Sequence, residues 1–312
     1  MIPLMNRRRA LLGILGLGGA VAEMKSTPAA AEEHPAHPVA PADAVAMLYD
    51  NTICTGCNAC VVACSEANGL PPDTALSGGL WQMPSDLNSK TKNTIKLYKQ
   101  PDGAVSAFVK RQCMHCLDPA CVAGCPFGSL KKNRWGAVTW EGSRCIGCRY
   151  CELACPFDIP KFEWDKWNPK IVKCEFCFDQ RLMKNKPPAC TGICPTGAVI
   201  FGKRVDLLAK AKARIAASPK RYFGKRVYGE TEAGGTQVFY LSGVSFDKIG
   251  LPALGPTSIA HYATAVSSVI YKWLSGPILV AIVLGTVIKR NWDDHEARRP
   301  EREKRRGFRD QL

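Results

Sequence analysis

Sixteen cysteines stand in this chain of 312 residues, and they fall into four runs of four with none left over. The first run is Cys54-x2-Cys57-x2-Cys60-x3-Cys64, and the third repeats it as Cys145-x2-Cys148-x2-Cys151-x3-Cys155. The second widens its middle gap, Cys113-x2-Cys116-x4-Cys121-x3-Cys125. The fourth stretches it further, Cys174-x2-Cys177-x12-Cys190-x3-Cys194. An even cysteine count fits a disulfide framework, and a Cys-x2-Cys pair fits zinc. Neither predicts four complete sets. A [4Fe–4S] cubane does, because each of its iron corners takes one thiolate in roughly tetrahedral geometry. Cysteines two residues apart let a tight loop wrap three neighbouring corners, with backbone N–H groups directed at the sulfurs. Small residues such as Gly56, Ala59 and Gly147 keep that loop close to the cluster.

The last cysteine of such a run points away and ligates the other cluster of a pair. A proline after it cannot extend a helix and fixes the turn. Pro126, Pro156 and Pro195 fill that place in three runs, whereas Ser65 follows Cys64 and leaves its turn unspecified. Read in pairs, the runs give four ligand sets. Cluster 1 takes Cys54, Cys57, Cys60 and Cys194, and cluster 4 takes Cys174, Cys177, Cys190 and Cys64. Cluster 2 takes Cys113, Cys116, Cys121 and Cys155, and cluster 3 takes Cys145, Cys148, Cys151 and Cys125. The expected fold is therefore α+β, with two ferredoxin-like double-cluster modules, one inserted in the other. Residues 45–110 and 157–225 form the outer module and residues 111–156 the inserted one.

Few elements are needed to position these runs. Ser129–Lys132 and Ala137–Trp140 read as a hairpin turning through Asn133 to Gly136, and Ile95–Tyr98 with Val105–Val109 read as another. Ala198–Phe201 and Val238–Leu241 read as strands. Asp206–Ala217 reads as an amphipathic helix carrying Leu207, Leu208, Ala211 and Ile215 on one face. Aromatic residues make up only 8% of the chain, so the clusters must do part of the work of a core.

The chain's two ends carry different signals. Arg7, Arg8 and Arg9 precede the apolar, glycine-rich run Ala10–Ala22, which is too short to span a bilayer. Candidate cleavage sites follow at Ala20-Val21-Ala22 and Ala29-Ala30-Ala31. The register Arg8-Arg9-Ala10-Leu11-Leu12 resembles a twin-arginine signal, with Arg7 and Leu11 in place of the usual Ser and Phe. Export of a folded, metal-loaded protein fits that route, so residues 1–31 are read as the signal. Residues 32–44 are an Ala/Pro-rich linker in which His34 and His37 are solvated. At the other end, residues 269–289 are read as a single C-terminal transmembrane helix, after an extension over residues 226–268. Trp273 and Trp292 bracket this run at interfacial positions, and Pro277 falls near its first turn. Thr257–Tyr271 holds no Lys or Arg while residues 289–312 hold nine, which puts the tail 290–312 in the cytoplasm and the globular part outside it.

The formal net charge of +15 raises nucleic-acid binding as a rival. Thirteen of the 42 basic residues lie at the two ends, and no RNP-like, zinc-finger or helix-turn-helix pattern stands between them. Nucleic acid is therefore not an expected partner. Nor is there a phosphate-cradling glycine loop or a hydrolase triad signature, so no catalytic residues are expected. Arg144, Arg149 and Lys173 flank the third and fourth runs, where positive charge raises cluster potentials or is merely solvated. His115, inside the second run, reads as a hydrogen-bonded structural residue, and His261 and Tyr262 as interfacial anchors.

At these residues the chain resembles the four-cluster iron–sulfur subunits of membrane-bound respiratory oxidoreductases, and among them the hydrogenase-2 type of periplasmic [NiFe]-hydrogenase. The resemblance includes Leu48-Tyr49-Asp50, Gln112-Cys113-Met114-His115-Cys116 with Asp118-Pro119, and Cys148-Arg149-Tyr150-Cys151. It continues through Gly197–Gly202 and Gly234-Gly235-Thr236-Gln237-Val238. It implies four [4Fe–4S] clusters in a non-catalytic relay on the periplasmic side of the inner membrane. The hydrogenase small and large subunits would feed the outer pair of clusters. The middle pair would pass electrons to a multi-helix quinone-reducing membrane subunit. Formate dehydrogenase beta subunits share similar segments and define the alternative partner.

Overall fold

The computed structural model of the chain describes residues 37–71, 86–100, 103, 106–167, 169–260, 276–293 and 295–297. Its first strand, β1 (Val45–Asp50), alternates Ala46 and Leu48 with Met47 and Tyr49, all buried. A strand apolar on both faces belongs inside a layered fold. The first cysteine run forms α1 (Ala59–Ala67). A long hairpin of β2 (Asn93–Lys99) and β3 (Ser106–Gln112) follows, with Ile95 opposite Lys110. The second run holds one helical turn, α2 (Ala120–Ala123), before the short hairpin of β4 (Leu130–Lys132) and β5 (Val138–Trp140). The third holds α3 (Tyr150–Leu153), followed by β6 (Lys161–Phe162) paired with β7 (Ile171–Val172). The fourth holds α4 (Ala189–Gly192) and leads into β8 (Val199–Lys203), α5 (Arg204–Ala217) and β9 (Val238–Leu241).

One three-stranded sheet, ordered β8-β1-β9, joins distant parts of the chain. β1 runs antiparallel to β8, with Val45 opposite Lys203, and parallel to β9, with Met47 opposite Val238. One face is covered by α5, whose Leu207, Ala211 and Ile215 pack with Ala46, Leu48, Phe239 and Leu241. Burying three such side chains contributes about 1.5–3 kcal/mol for each larger one. The other face, Met47, Tyr49, Val238 and Tyr240, packs directly against Cys60, Cys113, Cys174 and Cys190. A smaller core gathers Cys121, Cys151, Leu130, Val138, Phe162 and Ile171. These last two cores contain cysteines, whereas the one beneath α5 has none.

Each short helix begins one residue before the third cysteine of its run, at Ala59, Ala120, Tyr150 and Ala189. Three of them last four residues and stop before the Cys-Pro step, because a residue preceding proline is driven out of the helical region. Where Ser65 replaces proline, α1 continues through Cys64 to Ala67, nine residues in all. Packing is pairwise: α1 lies on α4, and α2 on α3. Both expected hairpins are present with slightly different limits, and the expected helix begins at Arg204 rather than Asp206.

Residues 276–293 are helical, α6, with Ile278, Leu279, Val280, Ile282, Val283, Leu284, Val287, Ile288 and Trp292 all exposed. Among the described residues no helix is long and apolar enough to cross a membrane. The expected signal (1–31), His34, the start of the expected membrane run (269–275), His261, Tyr262 and the tail from 298 onward lie outside the described residues.

Candidate metal centres

The four runs share a backbone device. The second residue of the first gap has positive φ in every one: Gly56 (70°), His115 (48°), Gly147 (73°) and Phe176 (55°). This left-handed step turns the chain sharply between the first two cysteines. Glycine takes it without strain. At Gly56 a side chain is barred twice, because a Cβ there would lie 2.3 Å from the Phe108 ring.

Electrostatic influence shows which thiols are neighbours. Burial pushes the Cys60 thiol up, and Cys54, Cys194 and Cys57 push it further. Cys174 is raised well above the usual range by burial, then by Cys64, Cys190, Cys113 and Cys177. Cys116 rises in the same way, with Cys155, Cys121 and Cys113 beside it. Cys151 is pushed up to about 12, by burial and then by Cys125, Cys148 and Cys145. Neighbouring groups also touch electrostatically. Cys60 bears on Cys190, Cys113 on Cys174, and Cys151 on Cys121. These influences link Cys60 through Cys190 and Cys174 to Cys113, Cys121 and Cys151. Cys57 and Cys148 are exposed, while Cys64, Cys174, Cys177 and Cys190 are all buried.

Thiols packed this way resist ionisation, yet only thiolates ligate metal. A group supplying positive charge resolves the conflict. Zinc would gather four sulfurs at about 2.3 Å around one ion, whereas four complete runs supply one thiolate to each iron of four cubanes.

Several donors already address the sulfurs. Burial works to raise Cys125, but the backbone N–H groups of Leu130, Ser129 and Phe127 outweigh it and hold the thiol low. Ser129 donates to Cys125 Sγ at 3.3 Å. At Cys194 the N–H groups of Val199, Ala198 and Thr196, with the Thr196 side chain, likewise overcome burial. These donors come from the turn after Cys-Pro, which is the physical use of the proline. Cys64 has no such turn. Asn68, four residues on and so on the same helical face, donates instead, with Nδ2 3.7 Å from Cys64 Sγ and 3.8 Å from Cys177 Sγ. Sequence reading passed over Asn68, although its i+4 spacing from a ligand was the available signal.

The flanking charges separate into different roles. Lys173 is buried, not solvated, and its Nζ donates to the carbonyls of Val138 and Cys174. Arg149 stacks on the Trp164 ring with its guanidinium carbon 3.6 Å from the centroid. Arg144 pairs with Glu141 at 3.3 Å on the surface. His115 is fully buried, and its Nδ1 accepts the Val138 N–H at 2.9 Å. Burial, then Lys173 and Lys132, push its pKa well down, so the ring is neutral and carries its proton on Nε2. That Nε2 is buried with no hydrogen-bond partner among the described residues.

Known proteins resemble this chain in sequence. Residues 46–126 and 104–204 each match the family described as "4Fe-4S dicluster domain", and together they take in all four runs. The chain is 35% identical over 337 residues to the "Hydrogenase-2 operon protein HybA" of Escherichia coli O157:H7, a match covering 94% of this chain and 100% of that protein. It is 36% identical over 201 residues to the nitrate-inducible formate dehydrogenase iron-sulfur subunit of Escherichia coli strain K12, covering 63% of this chain and 67% of the relative. The formate dehydrogenase-O iron-sulfur subunit of the same strain is 37% identical, at 63% and 66% coverage. Two dicluster domains and sixteen cysteines make the cofactors four [4Fe–4S] clusters.

Proposed function

The chain belongs to the family of ferredoxin-type iron–sulfur subunits that includes HybA and the formate dehydrogenase iron–sulfur subunits, and from that premise we propose that it relays electrons from a periplasmic [NiFe]-hydrogenase to a quinone-reducing membrane subunit. The observation that carries this reading is four complete cysteine runs inside two matched dicluster domains, with neighbouring thiols linked between two exposed cysteines, Cys57 and Cys148. Bound clusters supply one-electron carriers.

The chain's own residues do the rest. Cys54, Cys57, Cys60 and Cys194 hold cluster 1, and Cys64, Cys174, Cys177 and Cys190 hold cluster 4. Cys113, Cys116, Cys121 and Cys155 hold cluster 2, and Cys125, Cys145, Cys148 and Cys151 hold cluster 3. The order is then 1-4-2-3, with residues 45–110 and 157–225 as the outer module and 111–156 as the inserted one. The sheet face of Met47, Tyr49, Val238 and Tyr240 keeps water from the interior sites. Backbone N–H groups and Asn68 steady the thiolates. On this reading the hydrogenase small and large subunits dock at the Cys57 end and the membrane subunit at the Cys148 end, around which Phe127, Ile146, Tyr150 and Leu153 are exposed. The chain itself activates no substrate.

The apolar sides of α6, exposed all round, support a membrane anchor over residues 269–289, since a helix hydrophobic on every face needs lipid or protein against it. The twin-arginine-like start and the basic tail support a periplasmic globular part with the C-terminus in the cytoplasm. The match to HybA along the whole relative favours hydrogenase over formate dehydrogenase, whose subunits cover 63% of this chain. Oxygen-free purification of the intact complex tests the proposal. Four cubane clusters per chain and a nickel-containing large subunit are expected; a molybdopterin partner would move the chain to the second relay. Stoichiometric zinc with little iron would end both readings.

A further inference from the structure

Lys110 stands two residues before the end of β3 and is fully buried, at 0% exposure. Its Nζ meets no hydrogen-bond partner among the described residues. The other lysines near the sulfurs are differently placed. Lys92 pairs with Glu175 at 2.7 Å, Lys132 donates to the Cys116 carbonyl, and Lys173 donates to Val138 and Cys174.

An ammonium buried alone is ordinarily driven to its neutral form. Geometry puts this one near the sulfurs: Ile95, its cross-strand partner on the same face of the hairpin, lines a cavity with Cys54, Cys57, Cys60 and Cys194 and shares one core with Cys174 and Cys190. Burial acts to lower the lysine's pKa, but Cys60, Cys190, Cys64 and Cys174 outweigh it and hold it above the usual range. Those four thiols belong to two sites, Cys60 to cluster 1 and the others to cluster 4. The lysine's backbone is held firmly. Tyr240 Oη donates to the Lys110 carbonyl at 2.6 Å, and Tyr49 Oη to that of Phe108 at 2.7 Å. Both tyrosines come from the central sheet, so the sheet fixes where this cation sits.

A cubane ligated by four thiolates is an anion, because the ligands bring more negative charge than the cube's net positive charge. Adding an electron makes it more negative. A cation beside it favours the reduced form, and low local dielectric strengthens the effect. We propose that Lys110 is a positioning charge shared by clusters 1 and 4, whose unpaired ammonium raises the reduction potentials of both. The proposal rests on the ligand sets given above.

Redox-titrated electron paramagnetic resonance of the full-length, anaerobically prepared protein tests it, using Lys110→Met and Lys110→Arg. In Lys110→Met, two of the four midpoints should move negative, each by roughly tenfold or more in its reduction equilibrium, about 59 mV for a one-electron couple. The other two should stay in place, and Lys110→Arg should keep wild-type potentials. Four unmoved midpoints in Lys110→Met overturn the proposal, as does an Arg variant that shifts as far as the Met variant. If Lys110→Met loses iron, an Arg variant with full iron and unshifted potentials still supports the charge role, and one that loses iron equally overturns it. Iron and acid-labile sulfide in the unmutated protein are read separately. Fewer than four clusters there would remove the relay itself rather than the role of Lys110.

Discussion

Under the proposed ligand sets, the loops of the two terminal sites and those of the two interior sites solve one backbone problem with opposite side chains. Every run needs a left-handed residue just before its second cysteine. In the first and third runs that residue is Gly56 or Gly147, and the next cysteine, Cys57 or Cys148, is exposed. In the second and fourth runs it is His115 or Phe176, both fully buried, and their rings stack with centroids 3.8 Å apart and planes 30° apart. A non-glycine residue in this conformation costs roughly 1–2 kcal/mol. Filling the space between two interior sites offsets that cost, since deleting a buried phenylalanine ring costs about 3–5 kcal/mol. The difference teaches that the interior sites are built as core, while the terminal sites are built for close approach from outside.

The largest contrast should come from the ligands themselves. Cys190→Ser, in the interior, should abolish its own cluster, reduce the neighbouring signals and leave little folded protein. Cys148→Ser, at an exposed end, should lose one cluster's iron and keep the thermal transition of the rest. Equal losses of iron and of folded yield in both variants would erase the distinction between interior and terminal sites. It would also count against a serial relay if Cys148→Ser supported normal quinone-linked electron flow.

A smaller effect is expected from the stacked rings. Phe176→Ala should destabilise the loaded protein by about 3–5 kcal/mol, read as an earlier anaerobic melting transition, with clusters 4 and 2 affected before clusters 1 and 3. An unchanged transition would mean that the ring adds no packing, since alanine keeps the Cβ that makes the left-handed step costly, and the core-like view of these loops would fall.

The smallest expected effect sharpens the exception among the runs. Ser65→Pro would give the first run the Cys-Pro ending of the other three. It should cost about 3 kcal/mol by clashing with the Val61 carbonyl inside α1, and it should perturb the cluster held by Cys64 through Asn68. A variant with wild-type stability would show that α1 need not run past Cys64.

Much of the site was legible because it is local. A Cys-x2-Cys loop is short enough that spacing alone sets which iron corners it reaches, and Pro126, Pro156 and Pro195 announce where each short helix must stop. The hairpin β4–β5 and helix α5 were legible for the same reason, since turn chemistry and a 3.6-residue period act within a dozen residues. The two-sided pattern of β1 escaped reading as a strand, because short apolar runs do not reveal their partners. Its pairing with β8 and β9 depends on residues far away in the chain.

What the sequence by itself determined, then, is the metal chemistry: sixteen thiols at fixed intervals specify four cubanes wherever the chain folds. Tertiary structure alone decided which sites are interior, why His115 and Phe176 face each other, and where the charge of Lys110 falls. The physical reason is that ligation follows the separation of residues along the chain. Burial and electrostatic influence follow distance in space, and the sheet that joins β1, β8 and β9 creates those distances.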